Sequence, residues 1–277
     1  MINDNSEKIN NFDPLLQKIA DYTLTNIDED DSTLKEASYC LVDSLGCALE
    51  ALEHKACTKI LGPMFSETKT TQGSRIPGTN FILDPISAAF NIGTMIRWLD
   101  FNDTWLASEW GHPSDNLGGI LSVADYLSQK RSKDNQLKMI EVLKCIVKAH
   151  EIQGVIALKN SFNKVGLDHV ILVKLASTAV CGKLLGLTKL EILNALSQVF
   201  LDGNSLRTYR HFPNTGSRKS WAAGDATARG VFLAMMSKKG EMGYPKVLST
   251  KIWGFNDCLF NKKKLKIEQK FGSYVIN

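Results

Sequence analysis

Residues 84–93 read Asp84-Pro85-Ile86-Ser87-Ala88-Ala89-Phe90-Asn91-Ile92-Gly93. An aspartate directly before a proline is a typical helix start, because the carboxylate caps free amide groups and proline fits the first turn. The small residues at 88, 89 and 93 allow a neighbouring helix to pack close to the backbone. The sequence therefore predicts a central helix that begins at Pro85, with the rest of the chain packed around it.

Residues 98–119 follow this helix and contain three tryptophans, four acidic residues and one histidine. If the helix continues, Asp100, Asp103 and Thr104 lie at i, i+3 and i+4, with two carboxyls and a hydroxyl on one face. His112 precedes a proline that opens the next helix, so the helix dipole disfavours the imidazolium and favours a neutral base. The alternative interpretation is structural, with the aromatic residues in the core and the acids in solvent.

The composition is typical of a soluble globular protein. Hydrophobic residues make up 44% of the 277 residues, which is enough for a sizeable core. The net charge of +4 is mildly basic, and the lysine cluster 262–264 has no interleaved aromatic residues, so we do not predict nucleic-acid binding. We find neither a signal core nor an apolar run long enough to cross a bilayer, and therefore predict a cytoplasmic protein without membrane contact. The six cysteines form no Cys-x-x-Cys pair and are predicted to be reduced core thiols.

Hydrophobic periodicity and capping signals predict an all-α fold. The predicted helices cover approximately residues 14–25, 30–52, 85–104, 114–130, 135–158, 169–186, 189–201 and 221–238. Residues 53–83 are predicted to form an irregular connection, and no strand pattern longer than a few residues precedes Phe271. We find no glycine-rich dinucleotide or phosphate-loop motif in a strand-to-helix context.

A second polar segment, residues 160–169, ends with Asp168 and His169. Asp168 is expected to cap the next helix, and His169 to lie in its first turn. This arrangement repeats the one predicted for His112. The alternative is that Asp168 is only a cap and His169 a surface residue.

A third polar segment, residues 203–220, places four cations within thirteen residues. They are Arg207, Arg210, Arg218 and Lys219, and His211 and Ser217 lie between them. The segment precedes a predicted helix start with free amide donors, which suits an anion carrying several carboxylates or phosphates. A solvated basic loop is the alternative.

These segments together predict an active site that needs no cofactor. We find no ligand spacing for zinc and no cysteines placed to hold an iron–sulfur cluster. A base, an acid and cations that hold carboxylates suit proton abstraction beside a carboxylate, followed by loss of water or carbon dioxide. Positioned acid and base groups each contribute about 10²- to 10⁴-fold, so the cations must stabilise the enediolate-like charge as well.

Four motifs closely resemble the MmgE/PrpD family. They cover residues 97–105, 111–116, 166–169 and 209–226, and the resemblance extends over nearly the whole chain. It implies an all-helical first domain, a homodimer, and dehydration of the tricarboxylate 2-methylcitrate to 2-methyl-cis-aconitate in propionate breakdown, without an iron–sulfur cluster. Decarboxylation or isomerisation of a related tricarboxylic acid stays open, because the family also includes such enzymes.

The resemblance also identifies site residues. The positions implied to be catalytic are Asp100, Thr104, His112, His169 and Lys219. His112 or His169 would take the proton beside a substrate carboxylate, and the resemblance does not decide between them. Asp100 and Thr104 would orient the hydroxyl or its proton donor. Lys219 would hold substrate carboxylates together with residues of the basic segment, namely Arg207, Arg210, His211, Ser217 and Arg218.

The resemblance finally implies a domain division. We expect residues 1–265 to form the helical domain and residues 266–277 to begin the α+β domain that follows it in the family. Because the family also draws site residues from later segments, we expect this polypeptide alone to have little or no activity. An inactive helical partner that dimerises with an intact homologue is the alternative from another functional class.

Overall fold

Asp84 caps the helix that occupies the centre of the structure. Its Oδ1 accepts hydrogen bonds from the amides of Ile86 (3.0 Å) and Ser87 (3.1 Å), and Pro85 is the first helical residue. The helix is buried along most of its length and ends at Arg97. The predicted start is therefore confirmed.

The computed structural model describes residues 2–27, 31–68, 70–201, 203–273 and 275–277. Within them, the helices and strands are α1 (Ile2–Asn10), α2 (Pro14–Leu24), α3 (Asp31–Glu50), α4 (Lys55–Thr58), β1 (Ser74–Arg75), β2 (Ile82–Leu83), α5 (Pro85–Arg97), α6 (Leu117–Lys130), α7 (Met139–Ala157), α8 (Val170–Leu184), α9 (Lys189–Gln198), α10 (Arg218–Lys238) and α11 (Phe255–Leu259). Short 3₁₀ turns include Pro113–Asn116 before α6 and Arg207–Arg210 before α10. The predicted all-α class is confirmed.

Helix α5 packs between α6 and α10, and small residues set the spacing. A Cβ atom added to Gly93 would lie 2.9 Å from the Cα of Gly224 on α10. A Cβ atom on Gly118 of α6 would lie 2.6 Å from the carbonyl oxygen of Ala89. Because neither contact leaves room for a methyl group, these glycines let three backbones meet. The predicted central position of α5 is confirmed.

Most predicted helices appear with boundaries shifted by a few residues. Asp30, which was predicted to help cap α3, lies outside the described residues. Helix α1 was not predicted, and α10 begins at Arg218 instead of residue 221. The connection 53–83 is largely irregular, as predicted, with one short helix and the antiparallel pair β1–β2. None of the helices within the described ranges is both long and apolar enough to traverse a bilayer.

The prediction that α5 continues through residue 104 is wrong. After Arg97 the backbone turns, and Asp100 adopts a left-handed conformation with φ of 64°. Asp100 then pairs with Arg97 and Lys219, whereas Asp103 turns towards His150. The two carboxyls therefore do not share a helix face, because contacts with distant elements override the local i, i+3 spacing.

The six cysteines are free, as predicted, but not all lie in the core. Cys57, Cys145 and Cys181 are buried, Cys40 and Cys47 are partly exposed, and Cys258 is exposed.

The described residues of the segment 266–277 lie against the helical body, with contacts to α7. The side chain of Glu151, fully buried on α7, accepts hydrogen bonds from the amides of Gly272, Ser273 and Val275 at 2.6–2.7 Å and from the Ser273 hydroxyl at 2.8 Å. The ring of Phe271 stacks on Tyr22 of α2. This segment has no helix or strand among its described residues, and its assignment to a second domain stays a prediction.

Candidate active site

Arg97, the last residue of α5, organises the centre of the candidate site. Its side chain is only 2% exposed, and its guanidinium bonds to the Asp100 carboxylate and to Nε2 of His112 (2.9 Å). Because an arginine can only donate, Nε2 of His112 accepts. The proton of this imidazole therefore sits on Nδ1, which donates to the carbonyl oxygen of Asp103 at 2.6 Å. His112 is thus held as a neutral imidazole.

Asp100 joins two cations at the edge of this centre. Its other oxygen accepts a hydrogen bond from Nζ of Lys219 at 2.7 Å. Burial raises the pKa of Asp100, but the hydrogen bond from Lys219 and the charge of Arg97 outweigh it and lower the pKa to about 2. The side chain remains 41% exposed. An ionised carboxylate between two cations is therefore accessible from solvent.

His169 lies beside His112 and is fully buried. Its ring centroid is 5.8 Å from that of His112 and 5.5 Å from that of Trp110. Burial lowers the pKa of His169 well below its ordinary value, in spite of the neighbouring Asp168 carboxylate. Nδ1 lies 3.3 Å from Oδ1 of Asp168 without forming a well-aligned hydrogen bond, and Nε2 has no hydrogen-bond partner among the described residues. His169 is therefore a neutral imidazole with free hydrogen-bonding capacity, which is unusual for a buried polar group.

Both histidines directly precede helical turns, as the sequence predicted for His112, whereas His169 was expected in the first turn of α8 and stands one residue before it. His112 stands before the 3₁₀ turn that leads into α6, and His169 before the first residue of α8. Gly111 makes the pairing possible, because a Cβ atom there would lie 3.1 Å from Cδ2 of His169. The alternative of a surface position for His169 is wrong.

The four cations of the basic segment all pair with carboxylates of the protein. Arg210 forms two hydrogen bonds with buried Asp168, and Lys219 pairs with Asp100. The other two pairs are Arg207 with Glu109, at 3.7 Å, and Arg218 with Asp225, at 3.2 Å. The predicted anion-binding role requires that a substrate carboxylate replace or join these internal partners.

The arginines differ in how close they lie to the histidines. Arg207 stacks 4.7 Å over the Trp110 ring, which also neighbours both imidazoles. Arg218 stacks instead on Trp221, 4.3 Å away, and lies 5.5 Å from the Tyr209 ring. Lys219 and Arg218 belong to the first turn of α10 and not to a preceding loop, so the predicted helix start was three residues late.

Three further predicted residues lie at the periphery. Thr104 is exposed, and its hydroxyl is 3.5 Å from Nδ1 of His112. His211 and Ser217 lie on the exposed loop 211–217. Among the described residues, no side-chain hydrogen bond joins either of them to the histidines.

Sequence reasoning assigned no role to Arg97, Glu109 or Asp115. Burial raises the pKa of Glu109 and of Asp115, and one oxygen of each lacks a hydrogen-bond partner in the described structure. Asp115 faces Nε of Arg97 at 3.8 Å. A signal existed for Arg97, because a single arginine interrupts the apolar run between Met95 and Trp98.

The fold and site define a class of protein: a helical domain that holds two neutral imidazoles beside an arginine–aspartate–lysine cluster, an arrangement suited to proton transfer on an anionic molecule. Within that class, the chain belongs to the MmgE/PrpD family, since residues 15–268 match the MmgE/PrpD N-terminal domain. The resemblance seen in the motifs is therefore confirmed.

Curated relatives cover nearly all of the chain. The 2-methylcitrate dehydratase of Escherichia coli (strain K12) is 58% identical over 277 residues, which are 98% of this chain and 57% of the relative. That of Cupriavidus necator is 58% identical over 266 residues, 95% of this chain and 55% of the relative. The 2-methylcitrate dehydratase, mitochondrial, of Yarrowia lipolytica is 53% identical over 269 residues, 96% of this chain and 52% of the relative. The chain thus spans about half the length of the curated relatives it matches.

Proposed function

We propose that this protein acts in the dehydration of 2-methylcitrate to 2-methyl-cis-aconitate, by acid/base chemistry without a cofactor. The observation that carries the proposal is the pairing of His169 and His112 next to the Arg97–Asp100–Lys219 cluster. Membership of the MmgE/PrpD family and the names of the relatives support the choice of substrate.

We assign the general base to His169. Its Nε2 has no partner among the described residues and its Nδ1 lies 3.3 Å from Asp168, whereas both nitrogens of His112 already hold hydrogen bonds with Arg97 and Asp103. A base must reach the proton it takes with an unoccupied lone pair. His112 then acts as a fixed dipole that, with Arg97, faces the charge that develops on the substrate carboxylate.

Lys219 and Asp100 are placed to handle the leaving hydroxyl or a second carboxylate. Their ion pair is partly exposed and can open to a tricarboxylate, because exposed pairs contribute at most about 1 kcal/mol. Thr104 lies on the exposed side of His112 and can orient the hydroxyl. Arg207, Arg210, His211, Ser217 and Arg218 remain candidates for binding the outer carboxylates.

The direct test is turnover of purified protein with 2-methylcitrate, citrate and cis-aconitate, with product identification by chromatography. Because the polypeptide alone is expected to have little or no activity, we expect at most slow formation of 2-methyl-cis-aconitate; in an active full-length relative, the change that corresponds to His169→Gln should cost about 10²- to 10⁴-fold. His54→Gln is the matched control, because His54 is exposed and lies outside the site. Decarboxylated or isomerised products would instead favour the related tricarboxylate reactions.

Calorimetric titration with 2-methylcitrate separates an inactive domain from a wrong assignment. Binding that His169→Gln or Lys219→Met weakens, without turnover, would favour the inactive helical partner. If the protein neither binds 2-methylcitrate nor converts it, the proposal is wrong.

We further propose a cytoplasmic homodimer in which residues 1–265 form the helical domain and residues 266–277 begin the next one. Light scattering during gel filtration measures the mass of the assembly, and a monomer at micromolar concentration would contradict the dimer.

A further inference from the structure

Three side chains with metal-binding chemistry meet next to the candidate site, on the side of His112 where Asp103 lies. They are Cys40 on α3, Asp103 on the loop after α5, and His150 on α7. One ligand atom of each lies within 4.8 Å of the others. Nε2 of His150 is 3.0 Å from Oδ2 of Asp103 and 3.6 Å from Sγ of Cys40. The sequence could not reveal this group, because its members are at least 47 residues apart.

The imidazole of His150 is oriented as in a metal ligand. Its Nδ1 lies 3.0 Å from the carbonyl oxygen of Ile146, so Nε2 points at Cys40 and Asp103. Metal-binding histidines regularly donate their second N–H to such a backbone oxygen, which fixes the ring.

The carboxylate of Asp103 is anchored in a similar way. Its Oδ1 accepts hydrogen bonds from the amide of Ser114 at 3.0 Å and from the Ser114 hydroxyl. Its Oδ2 lies 3.2 Å from the same amide and 3.0 Å from Nε2 of His150. Carboxylates that bind metals are commonly held by hydrogen bonds of this kind.

The separation of the Cys40 and His150 ligand atoms suits zinc, whereas the 3.0 Å between His150 and Asp103 is a hydrogen-bond distance that must lengthen on binding. Zinc–sulfur and zinc–nitrogen bonds of about 2.3 Å and 2.05 Å, at a tetrahedral angle, place the two atoms about 3.6 Å apart. The Cys40–His150 separation is 3.6 Å. A thiolate, an imidazole and a carboxylate are also the three ligand types that zinc accepts.

We propose that Cys40, Asp103 and His150 bind one Zn²⁺ ion, with water from the adjoining cavity as the fourth ligand. This cavity has a volume of about 340 Å³ and is also lined by Glu36 and Tyr39 of α3. On binding, the protons on the Cys40 thiol and on Nε2 of His150 leave to solvent, and no redox change occurs.

The ion would fix the position of the loop beside the candidate active site without taking part in the reaction. Asp103 supplies the carbonyl oxygen that receives the Nδ1 proton of His112. Zinc would therefore tie the loop that positions His112 to both α3 and α7. This is a positioning role and does not depend on the proposed dehydratase activity.

Co²⁺ is the probe, because a bound thiolate gives it an intense charge-transfer absorption in the near ultraviolet. We expect one Co²⁺ per chain, and displacement of the band by one equivalent of Zn²⁺. Cys40→Ser should abolish the band and weaken binding by more than about 100-fold, since the loss of an outer-shell partner alone costs about 10–100-fold. Cys47→Ser is the matched control on the same helix, and it should keep both the absorption band and the affinity for Co²⁺. Equal binding by the two variants, or no band in the wild type, would overturn the proposal.

Alkylation of the unmodified protein gives a second test that does not depend on a folded variant. Zn²⁺ should slow the reaction of Cys40 with iodoacetamide, followed by peptide mass spectrometry, and leave exposed Cys258 unaffected. Equal rates at Cys40 with and without Zn²⁺ would also overturn the proposal.

Discussion

Replacing Gly224 by alanine tests the close packing that places the candidate site. The added methyl carbon would lie 2.4 Å from Oγ1 of Thr94, 2.5 Å from the carbonyl oxygen of Phe90 and 2.9 Å from the amide of Thr94. Ordinary contacts of this kind are 3.4–4 Å. Because two of the three atoms belong to the backbone of α5, a side-chain rotation cannot relieve the overlap, and α5 and α10 must separate by about 1 Å.

We expect Gly224→Ala to lower the free energy of unfolding by about 1–3 kcal/mol, the usual cost of overpacking. Gly46→Ala is the matched control, because Gly46 is an exposed residue within α3 and an added Cβ would meet nothing within 4 Å. That change should stabilise the protein by about 0.5–1 kcal/mol through helix propensity. The predicted gap between the two variants is therefore about 1.5–4 kcal/mol.

Urea unfolding followed by circular dichroism measures both variants under the same conditions. Lys219 lies in the first turn of α10, so separation of the helices should also disturb its contact with Asp100. If Gly224→Ala is as stable as Gly46→Ala, the description of this helix contact is wrong.

Three further predictions concern buried and paired charges. His169→Asn should make the free energy of unfolding less sensitive to acid, because His169 binds a proton in the unfolded chain but not in the buried site. In the unchanged protein, this difference leaves the free energy of unfolding unaffected above pH 6.5 and lowers it by about 1.4 kcal/mol at pH 5.5. Asp168→Asn should cost about 3–5 kcal/mol in urea unfolding, because it leaves the buried Arg210 cation without its charge partner, and a loss below 1 kcal/mol would contradict this pairing. Lys219→Met should raise the pKa of Asp100 from about 2 towards its usual value, as measured by carbon NMR titration. A depressed carboxyl pKa stabilises the fold above about pH 4, and this stabilisation is lost as the pH falls to about 2. The variant should therefore lose less stability than the unchanged protein between about pH 4 and pH 2.

The sequence predicted those features that depend on short-range chemistry. Asp84 before Pro85 marked the start of α5, and Thr188 followed three residues later by Glu191 is the sequence signature of the capping box that begins α9. The position of His112 before a helical turn was readable for the same reason, and that of His169 to within one residue. Each signal lies within four residues of the feature it specifies.

Features that depend on distant partners could not be read from the sequence. Asp100 leaves the helical conformation where it pairs with Lys219, which is 119 residues away. The basic segment appeared to hold unpaired cations, because Glu109 and Asp168 reach it only through the tertiary fold. Aspartate tolerates the left-handed region better than most residues, but this tolerance does not specify where it is used.

The buried carboxylate of Glu151 has a consequence for the motion of Gly272, Ser273 and Val275. It receives three backbone amides and one hydroxyl, and Val275 packs directly on the backbone of Gly154. Segments without helix or strand usually exchange their amide hydrogens within a short time, because they open with little free energy. Here the amides of Gly272, Ser273 and Val275 should exchange with deuterium as slowly as those of α7, so that an irregular stretch of chain shares the rigidity of the helix beneath it.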